Sequence, residues 1–507
     1  MKIKAGAILS SIRIDRGMDR KISVQLYMGL RDLILAGGVQ PGERLPASRT
    51  LGSDLGVSRT TVIEALDRLI AEGLLEARVG SGTFVSTALA GQPGRNKPSQ
   101  PRIAPAGRLP LSNATARVTR QLARRSRLPH KSQAFITALP ALDKFPMAHW
   151  ARLSSRHWRD TRDDVMGYGH PYGLPRLRSA IAAHLNASRG IHCDPEQILI
   201  VGGAQQAFSL IGTLLLDPGD QVWFENPGAI GARNAFIAQG AKLVPVSIDA
   251  EGLSVEEGLR KAPGFRLAFV TPSHQQPLGR VMSLSRRLDL LKAAEDANAL
   301  IVEDDYDGDF YYGHQPQPTL KSIDTQNRVI YVGTFSKSLF PSLRLGYLLA
   351  PDGLADTFRE ISSSFLSGVP TAPQAIVADF MEEGLFATHI RQMRRLYKER
   401  HDVLLEHARS LADWIDVRPT SGGFHTVGYL GNDIDAQTLV ECAARENVIV
   451  APLARYCLAP VSQKGIVLGF GACNGNEIRN GVNVLAKLER AEKKWSPLFR
   501  SPARPKV

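Results

Sequence analysis

The sequence predicts an α/β protein in three parts: a small helix-rich unit closed by a hairpin, a basic linker, and a large unit around a mainly parallel sheet with a smaller C-terminal subdomain. Three observations carry this reading. Helical apolar periods in 20–86 end in two short strands around a glycine pair; residues 87–135 hold basic side chains and no acids; from 136 to about 490 apolar strand runs alternate with helical periods. At 507 residues the chain is long enough for more than one core.

Of the whole, 43% is hydrophobic and 22% charged, a globular composition. No run of about eighteen apolar residues offers a membrane span. The four cysteines are scattered, without a CxxC pair, which fits reduced thiols in a cytoplasmic protein and no metal site. The net charge of +13 is uneven: 1–86 contributes +3, 87–135 contributes +10, and 136–507 is neutral. A phosphate-bearing partner should therefore engage the front of the chain.

In the first unit, ISVQLYMGLRDLIL places Leu26, Leu30, Leu33 and Ile34 on one helical face and stops at Gly37-Gly38. A short helix around Ser48–Leu55 follows, then Gly56 as turn and Ser58 as N-cap of a helix with apolar Val62, Leu66, Leu69 and Ile70. Such a helix–turn–helix presents the first turn of its second helix to base edges, and SRTT supplies small or forked donors there. LLEARVGSGTFVS reads as a hairpin with its tip at Gly80-Ser81-Gly82. Together with PGERLPASR, these motifs resemble the winged helix–turn–helix of GntR-type bacterial regulators over about 20–86. The resemblance implies that Arg49, Ser58, Arg59, Thr60 and Thr61 contact double-stranded DNA, with Gly80 in the wing. Where that family often carries an arginine, this chain has Ile63.

Residues 87–135 are rich in Pro, Gly, Ser and Arg and read as a flexible tether. ATARVTRQLARRSR within it has the pattern of a basic helix. Arg124, Arg125 and Arg127 would add non-specific attraction to DNA by counterion release.

In the large unit, QILIVGG, DQVWFEN, KLVPVSI, RLAFVTPS, ALIVEDD, RVIYVGT and LRLGYLLA are strand runs, and ligands in such sheets collect at the strands' carboxyl ends. Three tips carry unusual chemistry. GGAQQAFSLIGTLLL opens a glycine turn into a helix, whose free N–H groups suit an anion; EDDYDGDFYY offers carboxylates; GTFSKSLFPSLR offers a lysine with an arginine seven residues on. Pyridoxal 5′-phosphate (PLP) requires that set: a Schiff-base lysine, a carboxylate for the pyridine nitrogen and donors for the phosphate.

The order and spacing resemble fold-type I, aspartate-aminotransferase-like domains. That resemblance implies Lys337 as the Schiff-base residue, Asp304 on the pyridinium and Tyr306 on the ring hydroxyl. Arg344, Ser336, Thr334 and the backbone of Gly203, Ala204 and Gln205 would take the phosphate. Gln276 falls where the family's NPTG asparagine stands, Ala229 where an aromatic often follows the ENPG-like turn, and Val467 where a carboxylate-binding arginine usually opens a strand. Arg455 and Lys464 are candidate substitutes for that arginine.

A GntR-type reader joined to such a domain resembles MocR/GabR-type regulators, on TPSHQQPLG, VEDDYDGDF and GTFSKSLFPSLRLGY. The resemblance implies a homodimeric transcription factor that senses PLP, or an amine or amino acid, through aldimine chemistry at Lys337, without normal turnover. Two other readings stand beside it: an active aminotransferase with a DNA-binding appendage, and a DNA-binding repressor whose large domain only dimerises.

Overall fold

The computed structural model describes residues 12, 14–78, 80–88, 112–123, 133–159, 163–313, 317–365 and 368–494. The chain divides into two units, within Met1–Pro110 and within Leu111–Val507.

In the first unit, α1 (Ile22–Leu35), α2 (Ser48–Leu55) and α3 (Arg59–Ala71) precede the antiparallel hairpin β1 (Leu75–Arg78) and β2 (Gly82–Val85), with Leu75 opposite Val85. Leu26, Leu30 and Ile34, spaced by four, share one core with Leu51, Val62, Leu66, Leu69 and Val85. Leu33 and Ile70, expected on those faces, are only partly buried at the core's edge. The turn from α2 to α3 closes on Gly56 in the left-handed region (φ 64, ψ 33), a conformation that costs any residue with a Cβ. Ser58 then caps α3 by accepting from Thr61 N at 3.1 Å.

In the second unit, eight strands form one sheet in the order β3-β10-β9-β8-β7-β4-β5-β6. They are β3 (Ile198–Val201), β4 (Gln221–Asn226), β5 (Lys242–Asp249), β6 (Gly252–Leu253), β7 (Leu267–Val270), β8 (Leu300–Asp304), β9 (Val329–Thr334) and β10 (Gly346–Leu349). Every residue of β3 and β7 is buried, as continuous apolar runs require when both sheet faces are covered. The pairs β4/β5, β4/β7, β7/β8 and β8/β9 are parallel.

Two strands depart from the parallel direction: short β6 runs antiparallel to β5 at the edge, and β10 lies between β3 and β9 and runs antiparallel to both. Residues 335–345 make a short helix and a turn without crossing back over the sheet, so the chain re-enters at the end it left. A smaller antiparallel sheet, β11 (Ile415–Val417), β12 (His425–Leu430), β13 (Ala451–Pro452) and β14 (Gly465–Gly469), is ordered β11-β12-β14-β13.

Part of the stretch whose composition reads as a tether has a fixed place in this unit. Helix α4 (Asn113–Thr119) is capped by Ser112. Beyond it, the Ala123 backbone is held on both sides by the amide of Asn234 on α7 (Ile230–Ala238), with N–H to Oδ1 and Nδ2 to O both 2.9 Å. Phe135 is a fully buried core residue, and Ala134 bridges to Val448. Composition does not reveal such docking, because its partners lie more than a hundred residues away. Arg124, Arg125 and Arg127 lie outside the described residues. All four cysteines are free. No helix among the described residues is long and apolar enough to cross a membrane.

Candidate cofactor pocket and DNA-reading surface

Register assembles the pocket. Gly346 of β10 pairs with Val201 on one side and Thr334 on the other, so the loop after β3, the loop after β9 and the turn before β10 meet at one end of the sheet. After β3, Gly203 (φ 92) opens helix α6 (Ala204–Leu215), leaving the N–H groups of Ala204 and Gln205 at a helix start. Gln205 itself donates Nε2 to Gly231 O at 3.1 Å. After β9, Thr334 caps the short helix α8 (Phe335–Ser338), its Oγ1 accepting from Ser336 N at 3.2 Å. Arg344 sits on a left-handed turn (φ 53, ψ 41), is exposed, and makes no ion pair or side-chain hydrogen bond with the described residues.

Lys337, on α8, is half-buried and donates Nζ to Ala138 O at 2.6 Å. Tyr306, Gln276, His425 and Val467 line the same small chamber. Asp304 ends β8 in register with Val332 of β9; it is 5% exposed and its Oδ1 meets no hydrogen-bond partner. Burial, then Asp305, Asp307 and Glu225, push its pKa well above the ordinary carboxyl range, while Lys337 pulls it down. A buried carboxyl with an orphaned oxygen, within electrostatic reach of a lysine and at the same sheet end as a helix start and an unpaired arginine, fits a cationic heteroaromatic ring bearing a phosphate. The residues present therefore suit PLP.

Beneath this loop, Arg189 pairs with Asp305 at 2.6 Å, both side chains 3% exposed, and donates to Gly308 O at 3.1 Å. That pair fixes the EDDYDGD backbone. Gln276 borders the chamber, yet the buried amide with the polar role is its neighbour Gln275, Nε2 lying 3.0 Å from Glu225 Oε2 and 2.9 Å from Pro227 O. Glu225 is pushed up to about 7 by burial, against hydrogen bonds from Thr271 and Gln275. Ala229 is a buried N-cap and supplies no ring. Val467 is a buried chamber wall, and Lys464 is committed to Asn432 O and Ile434 O at 2.7 and 3.2 Å. Arg455 lies half-buried on the turn Leu453–Tyr456.

Sequence reasoning missed His274, Asp307 and His425, which converge behind Tyr306: their ligand-type atoms lie within 4.8 Å of one another and all are buried. They stand 33 and 118 residues apart along the chain, so spacing gave no signal; the one local cue was the HQQ and YDGD context.

On the DNA-reading unit, Arg49, Ser58, Arg59 and Thr60 are exposed and Thr61 is half-buried. Arg59 Nε donates to Ser48 Oγ at 3.4 Å, which brings the starts of α2 and α3 together. Two helix N-termini side by side present positive dipole ends to a phosphate backbone. Ser58 and Thr61 bond each other, Oγ to Oγ1 at 2.7 Å, so they are partly engaged as cap. Gly80 (φ 75) is exposed at the hairpin tip, and Arg78 lies over the Phe84 ring at 4.7 Å. Ile63 is 38% exposed.

Comparison with known proteins agrees with both units. Residues 22–85 match the family "Bacterial regulatory proteins, gntR family", and residues 139–466 match "Aminotransferase class I and II". The fold and pocket thus define a gntR-type DNA-binding unit fused to a class I and II aminotransferase unit. The chain is 41% identical over 496 residues to the probable rhizopine catabolism regulatory protein MocR of Rhizobium meliloti, covering 97% of this chain and 99% of that one. It is 30% identical to the pyridoxine biosynthesis transcriptional regulator PdxR of Corynebacterium glutamicum, covering 90% and 94%. Pyrococcus horikoshii kynurenine aminotransferase, solved with PMP, superposes with a TM-score of 0.66 at 27% identity, over 71% of this chain and 92% of that one. The chain belongs to the MocR/GabR-type family of transcriptional regulators.

Proposed function

We propose that this regulator binds paired operator half-sites as a homodimer through α3 and the wing, and that its large unit holds PLP and senses PLP or an amine or amino acid there. Arg59 and Thr60 reach base edges, Arg49 and the wing at Gly80 approach the backbone, and Ser58 with Thr61 shapes the helix start. In the pocket, Asp304 would take the ring nitrogen, Tyr306 the ring hydroxyl, and the N–H groups at Gly203–Gln205 with Thr334, Ser336 and Arg344 the phosphate. Bound PLP would supply an aldehyde carbon reactive toward primary amines, and Lys337 is the residue that would hold it covalently. Ala138 O would hold the Lys337 amine beside that carbon. An effector that favours one arrangement of the large unit then shifts DNA affinity by the same free energy.

The single observation behind this is the orphaned oxygen of buried Asp304 within electrostatic reach of Lys337, whose side chain lines a small chamber with Tyr306. The buried valine at 467 supports sensing over multiple turnover, because it provides no grip for a substrate carboxylate. The test is spectroscopic. Purified protein with PLP should show visible absorbance that borohydride traps on Lys337, and Lys337→Ala should abolish both while keeping operator binding that depends on Arg59. Colourless protein with no trapped adduct would refute the pocket reading; steady turnover on amino acids would favour an enzyme.

A further inference from the structure

The loop after β7 borders the cofactor chamber with Gln276 and Pro277, but its next residues face elsewhere. Leu278 and Arg280 line two cavities outside the chamber, of about 480 and 300 Å³. Volumes of that size hold a small organic molecule. The larger cavity takes its other wall from the small sheet: Arg418 from the connection between β11 and β12, and Val427 with Tyr429 from β12 itself. Close backbone approach holds the two walls together. Thr420 Oγ1 lies 3.4 Å from Gly279 O, and a Cβ at Gly279 would stand 2.9 Å from that hydroxyl. Arg280 follows Gly279 and Arg418 precedes Thr420 by two, so both arginines are delivered to one space.

Charge sets this cleft apart. Among the described residues that line the two cavities there are two arginines and no carboxylate. Nearby arginines are answered: Arg286 by Asp249 at 3.0 Å, Arg287 by Glu303 at 3.8 Å, and Arg189 by Asp305 at 2.6 Å. Arg280 is half-buried, yet its side chain makes no hydrogen bond, ion pair or ring contact with the described residues. Arg418 commits Nε to Asp416 at 2.9 Å and lies over the Tyr429 ring at 4.8 Å, which leaves its two terminal nitrogens without an acceptor among the described residues.

A half-buried guanidinium has lost part of its hydration and still presents five N–H donors in a planar fork, which matches a phosphate or carboxylate. Leu278 and Val427 supply apolar wall beside it. Both pack in one cluster with Tyr456 and Val467, which line the cofactor chamber from within.

We propose that this cleft is a second ligand site, separate from the chamber, which takes a small organic dianion of the phosphate-monoester class on Arg280 and Arg418. Two cations without an acid favour a dianion over a monoanion, and the apolar wall favours an ester over the free ion. The bound anion ties the loop after β7 to the small sheet. Nothing in this site depends on PLP occupying the chamber.

The test titrates full-length protein calorimetrically with phenyl phosphate, using inorganic phosphate and benzoate as comparators. Phenyl phosphate should bind most tightly, with a Kd at least about fivefold below those of the other two. Arg280→Ala should weaken it about 10- to 150-fold, since a hydrogen bond between charged groups is lost and no contact within the protein is. Arg418→Ala, at a more exposed position, should weaken it about two- to fivefold. Arg280→Lys should recover part of the loss, because the charge returns without the fork. Phenyl phosphate should also slow hydrogen exchange in 278–281 and 418–429 of the parent, and not of Arg280→Ala.

The chamber has its own anion cradle at Gly203–Gln205 and Arg344, so Arg344→Ala serves as the control. Affinity that falls in Arg344→Ala and survives Arg280→Ala places the anion in the chamber and overturns the proposal. So does an absence of saturable binding, or equal affinity for all three anions. Failure of the parent to develop colour with PLP would refute the chamber reading alone.

Discussion

Asp304→Asn should separate the two states of the pocket by moving them in opposite directions. In the cofactor-free fold the carboxyl is 5% exposed, one oxygen is unpartnered, and burial with neighbouring acids holds its pKa well above the ordinary range. Because the folded pKa lies above the unfolded one, the folded state binds the extra proton between those values, and stability falls as pH rises through that interval. Asparagine cannot ionise and escapes the decline. Melting temperature of the cofactor-free variant should therefore run flatter than the parent's from about pH 4 upward. Glu225 and Glu303, each pushed up to about 7 mainly by burial, lower stability with rising pH in both proteins, so the difference curve reports position 304 together with its coupling to Glu225, Asp305 and Asp307.

With cofactor the order reverses. A hydrogen bond between charged partners contributes about 1.5–3 kcal/mol, so losing it should raise the Kd for PLP by about 10- to 150-fold. Equilibrium dialysis or quenching of intrinsic fluorescence measures this directly. A variant that binds PLP as tightly as the parent, and is less stable at every pH, would show Asp304 to be a framework residue and refute the argument.

Three further outcomes are expected. Arg59→Ala should weaken operator binding by about 1–3 kcal/mol in a fluorescence-anisotropy titration while leaving the PLP Kd unchanged; equal affinity would remove Arg59 from the interface. Gly423→Ala forces a Cβ into the left-handed region (φ 72) and to within 2.6 Å of Asp307 Oδ2, and should cost about 2–4 kcal/mol in urea unfolding of the large unit. Asn234→Ala removes both bonds to the Ala123 backbone and should speed proteolytic cleavage between 112 and 132 at least severalfold, with PLP absorbance intact; an unchanged cleavage rate would mean that this docking does not hold the segment.

Much of this protein is legible along the chain because its signals are local. Gly56 and Ser58 announce the helix–turn–helix, since a left-handed turn and an N-cap act within three residues. The strand runs announce the large sheet, and the tips at 203, 304 and 337 announce the pocket, because parallel strands deliver their carboxyl ends to one side. Strand direction at β10, the docking of Ala123 on Asn234, and the bonding of His274 to Asp307 belong to another class. Each is a contact between groups 12 to 151 residues apart in the chain, decided by how completed elements pack and by which buried polar atoms remain to be satisfied. Local propensity carries no term for such a pairing; only the assembled interior, where water no longer competes for the hydrogen bonds, selects it.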